Sequence, residues 1–256
     1  MRTYFEHNLE TIKSKLLLMG QMANESLKLS IQALMEFDSV LAKSIREKDR
    51  EIDELENELS VAITSYLSTH APVAADLRFL VATMKISHEI ERIGDESKAI
   101  ARRSLKTTTH EFHEIPKMAK LAQDMLKDAL SVFAEYDEEK AKDIWKLDIT
   151  IDQLHQENNR FYQSLVEKDP HQASSVFETL FISKSIERIC DHAVNVSKEV
   201  VFIATSRGVR HALEEHTLVV GRAAVLARGD AAARVVDQRM AAGGAAHRRR
   251  RCRCFL

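Results

Sequence analysis

Proline and glycine are almost missing from the body of this 256-residue chain: three prolines in all, and only Gly20 and Gly94 before residue 207. Strands linked by tight turns depend on those residues, so the shortage argues against a β-rich fold and for long helices. Cysteine is scarce as well. Cys190 stands alone in the body, with Cys252 and Cys254 near the C-terminus, so no disulfide framework can be read and a reducing compartment fits. No apolar run approaches the roughly 18 residues of a membrane span. The early Glu6 and Glu10 leave no apolar stretch for a signal peptide, and the expected location is the cytoplasm. Residues 1–206 also lack a Gly-rich phosphate loop, a nucleophile elbow and a Cys/His zinc pattern, so a non-enzyme is expected.

What is present suits a helical protein with a proper core: 45% of residues are hydrophobic and 30% charged. The three prolines read as helix punctuation, because proline is tolerated in a first turn and disruptive further in. Pro72, Pro116 and Pro170 each follow a polar stretch, and Asp38 and Asp137 are plausible N-caps before apolar-periodic runs. Six long helices are expected, near residues 4–37, 39–69, 73–105, 115–136, 138–168 and 171–206.

The chain repeats itself. Residues 19–53 align with 118–152 without a gap at an offset of 99, with twelve identities in 35, among them Met19/Met118, Asp38/Asp137, Asp49/Asp148 and Asp53/Asp152. Further on, Glu91-Arg-Ile-Gly-Asp95 aligns with Glu187-Arg-Ile-Cys-Asp191 at an offset of 96. The expected fold is therefore all-α: two repeated three-helix bundles with pseudo-twofold symmetry, residues 1–106 and 107–206.

The duplicated segments carry four carboxylate pairs, Asp49/Asp53, Glu91/Asp95, Asp148/Asp152 and Glu187/Asp191. A spacing of four puts both acids of a pair on one helix face, where like charges repel. A cation that prefers oxygen ligands would offset the repulsion: Mg²⁺, Mn²⁺, Ca²⁺ or an iron ion, with Zn²⁺ as a further candidate. At about 100° per residue the acids fall opposite or beside the Ile stripes, which places them on outer or boundary faces. If adjacent helices bring their pairs together, each half gains a surface cluster of four carboxylates. The bland reading, charged helices with solvated acidic faces, stays open, since duplication would copy a meaningless pair too. Arg92 and Arg188 are expected to pair with neighbouring carboxylates, with phosphate contact a weaker option. His88, His155 and His192 lack repeat-equivalent partners and are read as surface residues, and Met19, Met22, Met118 and Met125 as core.

The segments Pro72-Val-Ala-Ala-Asp-Leu-Arg-Phe-Leu80, Lys85-Ile-Ser-His-Glu-Ile-Glu-Arg-Ile-Gly-Asp95 and Ser185-Ile-Glu-Arg-Ile-Cys-Asp-His-Ala-Val-Asn195 resemble the PhoU family. The resemblance covers approximately residues 1–211. It implies two three-helix bundles, metal ions on the D/E-x-x-x-D motifs, and negative regulation of phosphate uptake and phosphate-starvation signalling. The implied partners are the ATPase subunit of a phosphate ABC transporter and a phosphate-sensing histidine kinase. A homodimer is expected, with no nucleic acid and with membrane attachment only through partners. The alternative is a carboxylate-bridged metal-storage or di-iron protein. Such sites use Glu-x-x-His pairs, and the nearest approach here is Asp152-Gln-Leu-His155. A third option is a helical scaffold without metal.

Residues 207–256 break the pattern. They hold 11 of the 37 basic residues and 4 of the 39 acidic ones, a net +7 against −9 for residues 1–206. This Arg/Ala-rich tail is expected to be disordered, or the product of a shifted reading frame in GC-rich sequence. A basic arm for nucleic acid or anionic lipid is the other reading.

Overall fold

The computed structural model describes residues 2–205, and the expectations for the tail lie outside them. Six long helices follow one another: α1 (Arg2–Glu36), α2 (Ser39–Thr69), α3 (Ala74–Ser104), α4 (Ile115–Glu135), α5 (Glu138–Lys168) and α6 (Ala173–Thr205), with no strand among the described residues. The last helix begins two residues later than the sequence suggests. Asp169 accepts a hydrogen bond from the His171 N–H at 3.1 Å, and Pro170–Gln172 forms a separate 3₁₀ turn ahead of α6.

The duplication recurs in backbone hydrogen bonds. Phe37 and Tyr136, 99 residues apart, both adopt left-handed conformations, at φ 55° and 57°. The next residue in each turn, Asp38 or Asp137, donates its N–H back to Ala33 O or Val132 O, at 3.0 and 3.2 Å. Asp38 then caps α2, one carboxylate oxygen accepting from Val40 N and Leu41 N at 2.9 Å each, and Asp137 caps α5 by accepting from Lys140 N at 3.1 Å. Such caps are worth about 1 kcal/mol each.

Helices α1, α2 and α3 pack together, as do α4, α5 and α6; α3 against α6, assisted by α1 against α4, joins the two bundles. The core is the expected set of stripes, with Ile45, Ile52 and Leu59 facing Ile86, Ile90 and Ile93 in one bundle, and Ile144, Ile151 and Leu154 facing Ile182, Ile186 and Ile189 in the other, all at most 3% exposed. Burial of each such side chain contributes about 1.5–3 kcal/mol. Met19, Met118 and Met125 are fully buried beside them, as read, whereas Met22 is only half-buried. At the α1–α4 crossing a Cβ on Gly20 would collide with Leu130, so glycine sets how closely those helices approach.

Polar links also tie α3 to α6. Lys85 reaches Glu199 at 3.1 Å, Glu89 meets His192 at 2.7 Å, and Arg188 meets Glu96 at 2.9 Å. Residue numbers rise along α3 as they fall along α6, so these helices run antiparallel. The connection between the bundles is anchored to the second one. Ser175 Oγ accepts from Thr108 N and Thr109 N at 2.8 and 2.9 Å, and Tyr162 Oη donates to Glu111 O at 2.9 Å. Asn158, fully buried, accepts from Glu114 N at 3.0 Å and donates to Ser183 Oγ at 3.1 Å.

Candidate functional site

The crossing of α2 and α3 brings Asp49, Asp53, Glu91 and Asp95 into one neighbourhood, with Asp53 feeling the charges of both Asp49 and Asp95. Asp49, expected at the flank of the apolar stripe of its helix, is only 3% exposed and so lies deeper than a boundary position. Gly94 of α3 packs against it: an added Cβ there would lie 3.2 Å from Ile52 Cδ1 and 3.4 Å from Asp49 Oδ1. Lys98 supplies the countercharge, bridging Asp49 and Asp95, the latter at 2.7 Å. Burial alone would lower the Lys98 pKa, but its hydrogen bonds to the two aspartates raise it. Asp53 is pushed upward by burial and then by Asp49, and Glu91 by burial and then by Asp95. Glu91 Oε2 accepts no hydrogen bond, although Arg92 Nε lies 3.6 Å away.

The crossing of α5 and α6 repeats the arrangement with Asp148, Asp152, Glu187 and Asp191, but without the bridging lysine. At the place equivalent to Lys98 stands Val194, 5% exposed. Glu187, expected on an outer face, is buried at 9% exposure, with Lys184 Nζ 2.5 Å from its Oε2. Asp148 Oδ1 is buried and has no hydrogen-bond partner. Burial, followed by the charges of Asp191 and Asp152, pushes the Asp148 carboxyl up to about 6. Asp191 is raised by burial and by Glu187. Cys190 occupies the position of Gly94, and its buried thiol is driven well above the ordinary range by burial and by Asp148 and Asp191.

Among the described residues no three His, Cys, Asp or Glu side chains converge closely enough to hold a metal ion as they stand. Carboxylates would have to turn toward a bound ion. The two clusters fit one unequally: each has an unpartnered buried oxygen, on Glu91 and on Asp148, but the first already contains an ammonium between two of its acids, whereas the second adds exposed carboxylates on Asp152 and Asp191.

This doubled geometry has counterparts. The family model described as "PhoU domain" matches twice, over residues 16–104 and 115–200. The chain belongs to the PhoU family. Its similar relatives include the phosphate-specific transport system accessory protein PhoU homologues of Pseudomonas putida and Synechocystis, each 32% identical. The first alignment covers 81% of this chain and 83% of that protein, the second 80% and 93%. Among solved structures, PhoU from Pseudomonas aeruginosa superposes with a TM-score of 0.76 at 29% identity, covering 79% of this chain and all of that one. PhoU from Streptococcus pneumoniae gives 0.72 at 25% identity, over 79% and 98%.

Around the two PhoU motifs, Arg92 and Arg188 behave as ion-pairing residues: Arg188 binds Glu96, and Arg92 sits near Glu91 and, at 4.0 Å, Asp95. The histidines differ from expectation. His88 is exposed, but His155 is half-buried and shares a 2.9 Å hydrogen bond with Ser183 Oγ, and His192 is half-buried against Glu89. Burial raises the Glu89 pKa, yet hydrogen bonds from His192 and Asn195 outweigh it and hold the carboxyl low. Lys98 was not singled out from the sequence because it does not match its repeat equivalent, Val194. That mismatch was the available signal. No described helix is long and apolar enough to cross a membrane.

Proposed function

We propose that this PhoU-family chain is a non-enzymatic accessory protein that restrains phosphate uptake and phosphate-starvation signalling. It does so by docking between the ATPase subunit of a phosphate ABC transporter and a phosphate-sensing histidine kinase. The observation that carries this reading is the paired match of residues 16–104 and 115–200, together with relatives named as phosphate-transport accessory proteins that align over four-fifths of the chain. The protein works in the cytoplasm as a homodimer, reaching the membrane through its partners. Rigid helix pairs with charged outer faces suit an adaptor, whose task is to present surfaces.

In this reading a divalent or iron ion binds at the second cluster, held by Asp148, Asp152, Glu187 and Asp191, and more weakly at Asp49, Asp53, Glu91 and Asp95. Support comes from the orphaned Asp148 oxygen and the missing lysine bridge. Bound, the ion would neutralise like charges and pin α5 to α6 by oxygen coordination. The di-iron alternative gains nothing, because Asp152 is exposed and His155 is engaged with Ser183.

A deletion strain tests the regulatory role. Phosphate-starvation genes should be expressed in phosphate-rich medium and silenced again by complementation; unchanged expression on deletion contradicts the proposal.

A further inference from the structure

A groove of about 1070 Å³ runs over α2, α3 and α6 and takes in Asp49, Asp53 and Asp95, three of the four acids of the weaker metal cluster proposed above. Nine Lys and Arg side chains line it against four carboxylates, in a region, residues 1–206, that carries more acid than base. The acids are largely spoken for. Lys98 bridges Asp49 and Asp95, and Arg188 holds Glu96 at 2.9 Å. Lys43, Arg46, Arg50 and Arg102 form no ion pair with any described residue. Arg92, 53% exposed, is held only loosely, at 3.6 Å from Glu91 and 4.0 Å from Asp95. One wall is apolar: Phe181, 52% exposed, with the Arg103 guanidinium 4.3 Å over its ring.

Lys43, Arg46 and Arg50 follow one another at intervals of three and four on a single face of α2, where they repel one another, an effect the acids Glu47, Asp49, Asp53 and Glu54 at the same spacings offset only in part. An anion in the groove would reverse that effect. Arginine outnumbers lysine six to three among the lining cations. A planar guanidinium fork matches two phosphate oxygens at once, which an ammonium cannot do. The volume is at the upper end of small-ligand sites. From Lys43 to Arg50 the helix rises about 10 Å, and Arg102 adds a further contact from α3. Several linked phosphoryl groups can engage cations spread over that length at once, where one orthophosphate meets only those that converge on it.

We propose that this groove binds an oligophosphate, a compound with two or more linked phosphoryl groups, either an inorganic chain or the phosphate chain of a nucleotide. The site does not require the metal reading, and its test is run in EDTA. Titration calorimetry on the full-length chain at physiological ionic strength uses tripolyphosphate, ATP and orthophosphate as probes. Tripolyphosphate or ATP, or both, should bind saturably, with orthophosphate at least tenfold weaker. Comparable affinities would assign the phosphate chain alone, and a preference for ATP would assign a nucleotide. Arg46→Gln/Arg50→Gln and Arg102→Gln should each weaken binding at least tenfold, while Arg46→Lys/Arg50→Lys, a gentler change for folding, should weaken it less than the Gln pair. Substituting Arg248, Arg249, Arg250 and Arg251 with Gln should leave binding intact. The proposal is overturned if neither tripolyphosphate nor ATP saturates wild type. It is equally overturned if the groove variants bind normally, or if only the tail variant loses binding.

Discussion

Asp148→Asn should stabilise the protein at neutral pH, an unusual outcome for a change at a half-buried polar residue. In the folded chain the Asp148 carboxyl sits at about 6 rather than 3.8, through burial first and then the charges of Asp191 and Asp152, with Lys198 offering partial relief. A group whose folded pKa lies above its unfolded one favours folding when protonated, so stability falls as pH rises through roughly 4 to 6. The full displacement corresponds to roughly 3 kcal/mol. Because Asp148 is only half-buried, solvent screening reduces this to about 1–2 kcal/mol. Asparagine keeps the shape and removes the charge. Urea melts of wild type and variant in EDTA, from pH 4 to 7.5, should show a gain of about 1–2 kcal/mol at pH 7 that vanishes near pH 4. A variant less stable than wild type at pH 7, or an effect independent of pH, would refute the reasoning.

Lys98→Met removes the bridge over buried Asp49; allowing for the partial exposure of the lysine, the loss should be about 1–3 kcal/mol in denaturant melts. Since its folded pKa is raised, the lysine's contribution should persist at neutral pH and disappear only above about pH 10.4, as the ammonium deprotonates. Elemental analysis after exposure to Mn²⁺ or iron should show greater metal loss from Asp148→Asn/Asp152→Asn/Glu187→Gln/Asp191→Asn than from the matching variant of Asp49, Asp53, Glu91 and Asp95. Equal content in wild type and both variants would remove the metal sites. Asp38→Ala and Asp137→Ala should each cost about 1 kcal/mol by thermal melting, and similarly, because the same turn occurs in both bundles.

The fold was largely legible because its signals are local or repeated. Asp38 and Asp137 stand where chemistry requires a cap, and the Ile stripes point to the core whatever their helices meet. The candidate site was legible only in its residue list. A helical wheel puts Asp49 at the flank of its stripe; its burial comes from another helix, α3, where Gly94 packs beside it. Glu187 is buried for the same kind of reason, through packing between helices. Lys98 gained meaning only when α3 was laid against α2, and the basic groove collects residues from positions 43 to 188, beyond the reach of any periodicity. The late start of α6 is a local matter too: Asp169 caps a 3₁₀ turn over Pro170–Gln172 before the α-helix begins.

The central claim, that this PhoU-family chain is a regulatory adaptor, is tested most directly by purifying it from cells grown with abundant phosphate and from starved cells. The account predicts that the transporter ATPase and the sensor kinase co-purify under abundant phosphate and are depleted on starvation. Absence of both partners under both conditions would contradict it.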